Sequence, residues 1–360
     1  MNIAVLGSGN GGCAIAFDCA AHGHEVSLFD FEQFPDNIKA VQNNGGIYCE
    51  GVLEGFQKIA YAGHKIEKAL DGADIIYAVG PAYSTKPFAE ECKPYLKPGQ
   101  VVIVCPSSCG GSLEFKKGAG LDLRDEEIIL AETSTLPYAV RVLEPGKLRI
   151  FNKLKSGLLL AAVPAHHTNY VLEQVRDVYP AMIAAKNILQ TSLQNGNPVI
   201  HPAVTLMNVA LIERANCDFD FYQEGVTPAV GRLMEGVDKE RIAIGEKLGV
   251  NVVPDPEIGV IQGYMTEATY DTGFNTAPGF QGVKAQTDLD YRYFNEDVGY
   301  GLVFFRKLAE QVGMETPVIS AVITIASLLM KRDYLGEGRR TMETLGLSDF
   351  SAEELEKLLA

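Results

Sequence analysis

The sequence has 360 residues, which is more than one ordinary hydrophobic core holds and suits two domains. Its formal net charge of −15 argues against nucleic acid as a partner, because an acidic chain is repelled by a phosphate backbone. The longest apolar runs, such as SAVITIASLLM (320–330), are shorter than the roughly 18–20 residues that span a bilayer, and the N-terminus lacks the basic region of a signal peptide. We therefore expect a cytoplasmic protein with neither a nucleic-acid nor a membrane partner.

Short apolar runs alternate with helical stretches over the first 190 residues. The runs that we interpret as buried strands are NIAVLG (2–7), EVSLFD (25–30), ADIIYAV (73–79), QVVIVC (100–105), EEIILAE (126–132) and GLLLAAVP (157–164). Between the first two, Gly12 to His22 has small and apolar residues at helical spacing. This alternation predicts a parallel, doubly wound sheet in a domain of residues 1–190, and we expect NILQT (187–191) to be among its last elements.

After residue 195 strand-like runs become rare, and long amphipathic segments take their place. The segments that we predict to be helices are 202–215, 227–249, 296–313, 317–333 and 351–360. Pro228 follows Thr227 and Pro317 follows Thr316, which are favourable residues for a first helical turn. Ser351 and Glu354 form the pattern of a capping box. These features predict an all-helical domain of residues 191–360.

A glycine-rich stretch, GSGNGG (7–12), lies directly after the first strand and at the start of the first helix. This is the context in which G-x-G-x-x-G binds a dinucleotide. Gly7 allows the tight turn, Gly9 lets the backbone approach a pyrophosphate, and Gly12 lets the helix pack closely on the strand. Asn10 lies at the helix N-terminus, which attracts phosphate, and is a further cofactor-binding candidate.

Asp30 ends the second strand, where a carboxylate accepts hydrogen bonds from adenosine ribose hydroxyls and repels a 2′-phosphate. We therefore expect NAD as the cofactor in preference to NADP, although a turn or capping role for Asp30 stays open. The turns VGPAYS (79–84), with Gly80, and CPSSCGGS (105–112) follow later strands and are suited to the same crevice. The prediction is an α/β chain, with an N-terminal Rossmann doubly wound parallel sheet followed by an all-helical C-terminal domain.

The seven cysteines are scattered along the sequence without a C-x-x-C pair. Cys105 and Cys109 are close in sequence, but nothing nearby completes a set of metal ligands. We therefore expect reduced thiols and no metal centre.

His201 lies in NGNPVIHP (195–202), where the strand-rich part of the sequence gives way to the helical part. Because a proline in the first turn fixes a helix start, Pro202 predicts that His201 is held at a helix N-terminus. Taken alone, a histidine in this position is more often a structural or capping residue than a functional one.

A second polar segment, YRYFNEDVGYGL (291–302), supplies Arg292, Glu296 and Asp297. A carboxylate here can bind one imidazole nitrogen and fix its tautomer, which leaves the other nitrogen to exchange a proton with a substrate. A dehydrogenase needs this, because a proton leaves the heteroatom while hydride leaves the carbon. The alternatives are that Asp297 complements a helix dipole and that Arg292 is a surface charge.

At these motifs the sequence resembles the opine dehydrogenases, including those of the N-(1-carboxyethyl)-norvaline and octopine/nopaline type. The resemblance covers essentially the whole chain. It is carried by GSGNGG (7–12), GGSLEF (110–115), AETSTLPYAVR (131–141), TSLQNGNPVIHP (191–202), FYQEGVTPAVGRL (221–233), DKERIAI (238–244), RYFNEDVGYGLV (292–303) and LGLS (345–348). The glycine motif is generic, whereas the histidine and Arg–Tyr…Glu–Asp motifs are specific in this order and spacing.

The resemblance implies reductive condensation of an α-keto acid, often pyruvate, with the amino group of an L-amino acid, and the reverse oxidation. It implies that His201 and Asp297 form the acid/base pair, and we infer that Arg292 binds the keto-acid carboxylate through its guanidinium fork. Asn197 matches an amide before the family's histidine, and Ser108 lies in a turn that departs from the family's pattern. Both are further substrate-binding candidates. The family contains monomers and dimers, which leaves a homodimer open.

Two other functions stay open. A ketopantoate reductase-like enzyme acting on a keto or hydroxy acid has a similar architecture, but it depends on a lysine of the helical domain, and no lysine here lies in a matching motif. A non-catalytic sensor on the same fold would bind the dinucleotide without turnover. The presence of a histidine, an aspartate and an arginine in the expected motifs argues against the sensor.

Overall fold

The computed structural model describes residues 1–214 and 218–359. This part of the chain forms two compact units. The first is built from Met1–Ser107 and Gly111–Ile188, and the second from Ser108–Gly110 and Leu189–Leu358. None of the helices in the described ranges combines the length and the apolar composition that spanning a bilayer requires.

In the part of the chain that the structure describes, the strands belong to the first unit. In chain order they are β1 (Asn2–Leu6), β2 (Glu25–Phe29), β3 (Gly46–Gly51), β4 (Gly55–Lys58), β5 (Tyr61–Gly63), β6 (Ile75–Ala78), β7 (Val101–Val104), β8 (Ile129–Thr133), β9 (Tyr138–Glu144), β10 (Lys147–Lys153), β11 (Leu158–Val163) and β12 (Met182–Ala184). Eight of them form a sheet in the order β12-β11-β8-β7-β6-β1-β2-β5, and the others form a second sheet in the order β4-β3-β10-β9. The eight-stranded sheet is mostly parallel, so the predicted doubly wound fold is confirmed.

The structure departs from the prediction in three places. Strand β11 runs antiparallel to β8, because β8 is followed by the β9–β10 hairpin and not by a crossover helix. The second sheet was not predicted, since β3 and β4 are mixed in polarity and lack an apolar run. The last strand is β12, and the NILQT segment that we expected near the end of the sheet lies largely in a helix, Ile188–Leu193.

Helices cover the large sheet. In the first unit they are α1 (Asn10–Ala21), α2 (Pro35–Asn44), α3 (Ile66–Ala69), α4 (Thr85–Cys92), α5 (Gly111–Ala119) and α6 (Thr168–Val175). Alternate residues of the central strands face one buried cluster, in which Ile76 and Val102 meet Phe88 of α4 and Phe115 of α5. Burying a side chain of this kind contributes about 1.5–3 kcal/mol, which fixes the strand ends where the glycine loop begins.

The rest of the chain is helical, as predicted. The helices are α7 (Ile188–Leu193), α8 (Asn197–Met207), α9 (Val209–Ile212), α10 (Pro228–Lys247), α11 (Asp255–Ile261), α12 (Thr272–Asn275), α13 (Arg292–Asn295), α14 (Val303–Gln311), α15 (Pro317–Met330), α16 (Tyr334–Glu337), α17 (Met342–Leu345) and α18 (Ala352–Leu359). A π-helix, Asp297–Leu302, lies between α13 and α14 where the sequence predicted an uninterrupted α-helix. The last residue of the predicted helix 202–215 lies outside the described ranges.

Several helix starts follow the predicted chemistry. The Thr227 hydroxyl accepts a hydrogen bond from the backbone N–H of Val230 at the start of α10. At α18 the backbone N–H groups of Ser351 and Glu354 donate to each other's side chains, at 2.8 and 3.3 Å, so the predicted capping box is confirmed. At α15 the cap comes from a neighbouring helix, because the Glu240 carboxylate accepts from the first-turn N–H groups.

The predicted start of the histidine helix was wrong. Helix α8 begins at Asn197, so Pro198 is the first-turn proline, and His201 lies one turn further on with Pro202 inside the helix. The cause is the carbonyl of Gly196, which accepts the first helical hydrogen bonds, including one from Ile200. His201 is therefore fixed inside a helix, where its backbone is more rigid than at a cap.

A buried polar network holds the chain that leads into α8. Arg241 and Asp238 are fully buried and pair at 2.6 Å between Nε and Oδ1. The Arg241 guanidinium also donates to the backbone carbonyls of Leu193 and Val253. A Cβ added at Gly196 would lie 1.6 Å from a carboxyl oxygen of Asp255, so only glycine fits beside this network.

Replacing Asp255 by asparagine tests the electrostatics of this network. Burial and the nearby Asp238 carboxylate raise the pKa of Asp255 to about 7. Since the folded protein then binds a proton that the unfolded chain releases near pH 4, the free energy of unfolding should fall as pH rises from about 4 to about 7. Asp255→Asn lacks this titration, so it should gain stability relative to the wild type over that window, by on the order of 1 kcal/mol or more. Urea denaturation at pH 5 and pH 8 measures the difference; an equal difference at both pH values would contradict the assignment.

Candidate active site

The glycine loop follows β1 and is shaped by close backbone contacts. Gly7 has a φ of +102°, and a Cβ added there would lie 2.1 Å from the carbonyl oxygen of Val79. A Cβ added at Gly12 would lie 1.8 Å from the carbonyl oxygen of Gly7. Gly9 differs, because an added Cβ would meet nothing within 4 Å. The fold therefore requires Gly7 and Gly12, whereas Gly9 leaves open space that a dinucleotide phosphate needs.

Replacing Gly9 by alanine is expected to weaken NADH binding about tenfold or more without unfolding the protein. The φ and ψ of Gly9, −74° and −167°, are allowed for alanine, so the added methyl group would only fill the space above the loop. Isothermal titration with NADH and a thermal melt measure the two effects. Gly12→Ala is the matched control and should lose stability. Normal NADH binding by a folded Gly9→Ala variant would show that the phosphate does not approach here.

Asp30 is buried at the end of β2 and binds the glycine loop directly. Its Oδ2 accepts hydrogen bonds from the backbone N–H and the hydroxyl of Ser8, at 2.6 and 2.7 Å. Its Oδ1 accepts from the backbone N–H of Phe31 at 2.9 Å. Asp30 therefore has the turn role that stayed open, since it holds the glycine loop and caps neither α1 nor α2, and a carboxylate with further lone pairs lies where a ribose is expected.

The two other cofactor candidates also have defined surroundings. The side-chain oxygen of Asn10 accepts a hydrogen bond from the backbone N–H of Val142, at 2.7 Å, and so links the start of α1 to β9. Gly80 follows β6, and a Cβ there would lie 2.2 Å from the hydroxyl of Ser84. The loops of Gly7 and Gly80 follow β1 and β6, the neighbouring strands at which the strand order reverses, which is the usual dinucleotide position in such sheets.

In the second unit, the structure brings His201 and Asp297 together. The imidazole Nδ1 lies 2.8 Å from Oδ2 of Asp297, and both side chains are buried. Because a carboxylate only accepts, Nδ1 carries the proton and donates it, and Nε2 is the nitrogen that can take or give a proton. Asp297 is the first residue of the π-helix, a rare geometry that recurs at functional sites.

Aromatic side chains surround this histidine. The ring of Tyr293 stacks on the imidazole with centroids 4.0 Å apart, and Phe221 approaches edge-on at 6.0 Å. The hydroxyl of Tyr222 lies 3.1 Å from Nε2 of His201. Burial raises the pKa of Tyr222 well above its usual range, so the phenol keeps its proton and can donate to the neutral imidazole.

Sequence reasoning missed Tyr222 and Tyr293, although both lie inside motifs that carried the family resemblance. The only signal available was their position: Tyr222 lies in the motif FYQEG, and Tyr293 directly follows Arg292. Which side of the backbone they face depends on the local fold around residues 218–226 and 291–296, and spacing does not determine that.

Arg292 lies on α13, one turn before Glu296. Its Nε is 3.4 Å from Oε2 of Glu296, and its side chain is 44% exposed whereas that of Glu296 is 5% exposed. Desolvation would lower the pKa of Arg292, but the carboxylates of Glu296 and Asp297 outweigh it and raise the pKa above its ordinary value. A permanent cation on a side chain that is nearly half exposed therefore lies close in sequence to Asp297.

The two remaining substrate-binding candidates, Ser108 and Asn197, are connected to the His201 and Arg292 site in different ways. Ser108 is buried, and its hydroxyl donates to Oε1 of Glu296 at 2.9 Å, so it reaches the site through Glu296. Asn197 is half-buried at the first position of α8, four residues before His201, and therefore on the same face of the helix. Its backbone N–H donates to the side chain of Asn195 at 3.2 Å, which shapes the helix start.

A separate surface group brings three potential metal ligands together. Oε2 of Glu126 lies 3.1 Å from Nε2 of His166 and 2.8 Å from Nε2 of His167. These ligand atoms lie within 4.8 Å of one another, and Glu126 and His166 are exposed. Hydrogen bonds between the carboxylate and the two imidazoles account for this arrangement, and the absence of a metal centre stays a prediction.

Two family models match the chain. Residues 2–110 match the N-terminus of NAD-dependent glycerol-3-phosphate dehydrogenase, and residues 184–330 match the α-helical domain of NAD/NADP octopine/nopaline dehydrogenase. The solved structure of octopine dehydrogenase in complex with NADH and agmatine superimposes with a TM-score of 0.82 at 17% identity, covering 99% of this chain and 97% of that one. That similarity shows the fold.

Sequence relatives carry the comparison further. The opine dehydrogenase of Arthrobacter sp. (strain 1C) is 37% identical over 353 residues, which cover 97% of this chain and 96% of the relative. The tauropine dehydrogenase of Arabella iricolor is 27% identical over 305 residues, or 76% of each chain. With its dinucleotide-type glycine loop and its helical second unit, the chain belongs to the opine dehydrogenase family of NAD(P)-dependent oxidoreductases.

Proposed function

We propose that this enzyme condenses an α-keto acid, with pyruvate as the first candidate, with an L-amino acid and reduces the resulting imine to a secondary-amine dicarboxylate. Reductive condensation of a keto acid with an amino acid is the reaction of its family. Octopine dehydrogenase has been solved with NADH and L-arginine and with NADH and pyruvate, which supports the same two substrate classes here. The observation that carries the site assignment is the buried hydrogen bond of 2.8 Å between His201 and Asp297.

The acid/base role belongs to His201 in this proposal. Asp297 holds the proton on Nδ1 and so leaves the lone pair of the neutral ring on Nε2, where the substrate amine takes the place of the Tyr222 hydroxyl. In the oxidative direction Nε2 takes the proton of the secondary amine while hydride leaves the adjacent carbon; in synthesis the same nitrogen returns a proton to the imine nitrogen. The bound dinucleotide supplies or accepts the hydride. The negative charge of Asp297 stabilises the imidazolium that forms in between.

In this proposal Arg292 orients the substrate, and Asn197 makes a second polar contact with it. A guanidinium binds a carboxylate through two parallel hydrogen bonds, which fixes both the position and the plane of the keto acid. Such a fixed carboxylate holds the neighbouring carbonyl carbon in one place for hydride transfer.

Arg292→Ala is expected to raise the KM for pyruvate about 10- to 100-fold, since hydrogen bonds to a charged group contribute about 1.5–3 kcal/mol. The dissociation constant of NADH should not change. Steady-state assays at a saturating amino acid measure the first quantity and isothermal titration the second. An unchanged KM for pyruvate would remove Arg292 from the substrate site.

For the cofactor, we propose NAD in preference to NADP. The Asp30 carboxylate at the end of β2 would repel a 2′-phosphate, and the neighbouring Phe31 and Glu32 offer no cation to bind one. We also propose that residues 1–190 hold the dinucleotide and residues 191–360 the substrates. A cytoplasmic location and a homodimer stay predictions.

An NADH-oxidation screen of keto acids paired with L-amino acids tests the function. The expected result is oxidation that requires both substrates. Oxidation with a keto acid alone would favour a ketopantoate reductase-like activity, and tight NADH binding without turnover on any pair would favour a sensor.

A further inference from the structure

The carboxylate of Glu296 contacts the guanidinium that we assign to the keto acid. Glu296 and Arg292 lie four residues apart, and Oε2 of the glutamate is 3.4 Å from Nε of the arginine. A guanidinium can bind a carboxylate side-on, through Nε and one terminal nitrogen, or end-on, through its two terminal nitrogens. Because Glu296 faces Nε, we assign the end-on edge, formed by the two terminal nitrogens, to the substrate.

The other oxygen of Glu296 is held by the turn at residues 108–110. The Ser108 hydroxyl donates to Oε1 at 2.9 Å. Ser108 and Cys109 have φ values of +47° and +71°, in the left-handed region that residues other than glycine rarely adopt. Such a conformation persists only where its surroundings hold it, and it clusters at functional sites.

Arg340 is what holds this turn. It is fully buried, and its Nη1 donates to the carbonyl oxygens of Ser108 and Cys109 at 2.9 and 2.8 Å. Its guanidinium carbon lies 5.2 Å above the centre of the Tyr300 ring. The backbone N–H of Gly110 also donates to the hydroxyl of Ser192 at 2.8 Å. The turn therefore presents the Ser108 hydroxyl to Glu296 from a fixed backbone.

We propose that Glu296, oriented by Ser108, is a positioning residue that fixes Arg292 so that its two terminal nitrogens bind the keto-acid carboxylate end-on. The inference rests on the proposed role of Arg292. It gives Ser108 an indirect part in substrate binding, through Glu296. It also gives the two adjacent carboxylates different roles. Asp297 binds His201 and acts on proton transfer, whereas Glu296 contacts Arg292 and acts on binding of the keto acid.

The test is a double-mutant cycle read out by pyruvate binding to the NADH-loaded enzyme. Isothermal titration gives the dissociation constants of NADH and then of pyruvate, without an amino acid and so without condensation. Glu296→Gln should weaken pyruvate binding at least fivefold and leave NADH binding unchanged. In an Arg292→Ala background the same substitution should change pyruvate binding less than twofold, because the group that it positions is gone.

Two further variants test whether the effect is specific and whether it survives a folding defect of Glu296→Gln. Glu310→Gln is the matched control, since Glu310 pairs with Nε of Arg306 at 3.1 Å with the same four-residue spacing on another helix, and it should leave pyruvate binding unchanged. Ser108→Ala removes one hydroxyl and serves if Glu296→Gln fails to fold; it should weaken pyruvate binding two- to fivefold, and only when Arg292 is present.

The outcomes separate this inference from the proposed function. Unchanged pyruvate binding in Arg292→Ala would overturn the role of Arg292 and the inference with it. Weakened binding in Arg292→Ala with normal binding in Glu296→Gln and Ser108→Ala would overturn the inference and leave the proposed function intact. Equal weakening by Glu296→Gln in both backgrounds would show that Glu296 does not act through Arg292, and would also overturn it.

Discussion

His201→Ala is expected to lower kcat about 10²- to 10⁴-fold, the usual contribution of a positioned general acid or base. The imidazole is buried and bound through Nδ1 to Asp297, so Nε2 is the nitrogen that can exchange a proton with the substrate. None of the dinucleotide-binding candidates is replaced, so the dissociation constant of NADH should not change. Steady-state assays in both directions, with NADH titration alongside, measure the two quantities.

A loss of packing is the alternative explanation that this experiment has to exclude. The imidazole stacks on Tyr293, and alanine would leave a cavity there. His201→Phe keeps an aromatic ring of similar shape but has no nitrogen, and it should lose as much activity as His201→Ala. Near-normal turnover in either variant would exclude His201 as the acid/base residue.

Asp297→Asn is expected to lower kcat about 10²- to 10⁴-fold while leaving the fold in place, as for other buried carboxylates that orient a catalytic histidine. Asparagine has the same shape, but it lacks the charge that stabilises an imidazolium. It can also turn its amide N–H₂ towards the ring, which would favour the wrong tautomer. Both effects act on proton transfer, so kcat should fall more than the affinity for pyruvate.

The neighbouring carboxylate provides the comparison for this variant. Glu296→Gln removes one negative charge one residue away, but Glu296 faces Arg292 and Ser108, not the histidine. We expect it to act mainly on pyruvate binding, whereas Asp297→Asn acts mainly on kcat. Equal effects of the two variants on kcat would mean that the overall negative charge matters, and not the contact with Nδ1.

The sequence predicted the large sheet well because its strands carry local signals. Each central strand is a buried apolar run, and the glycine loop marks the junction of β1 and α1. The second sheet had no such signal. Strand β3 pairs with β10, and Tyr48 lies opposite Lys147. The formation of β3 as a strand therefore depends on a partner about a hundred residues further along the chain. Strands of mixed polarity formed by distant pairing cannot be recognised from their own residues.

The candidate site was predictable in its residue types and less so in its geometry. His201 and Asp297 were paired through the family motifs, since nothing local links residues 96 positions apart. The helix start was misplaced because Pro198 and Pro202 are both acceptable first-turn residues. The contact of Ser108 with Glu296 could not be predicted either, because it depends on a left-handed backbone conformation that serine and cysteine rarely adopt.

The π-helix between Asp297 and Leu302 has a consequence for how relatives of this enzyme are aligned. A π-helical turn contains one residue more than an α-helical turn, and each residue of an α-helix rotates the chain by about 100°. Deleting any one of residues 298–302 would therefore turn Arg292, Glu296 and Asp297 away from their present directions relative to α14, even though all three would still be present. The directions of these three side chains depend on the number of residues that separate them from Val303, and a comparison of residue identities alone does not register that number.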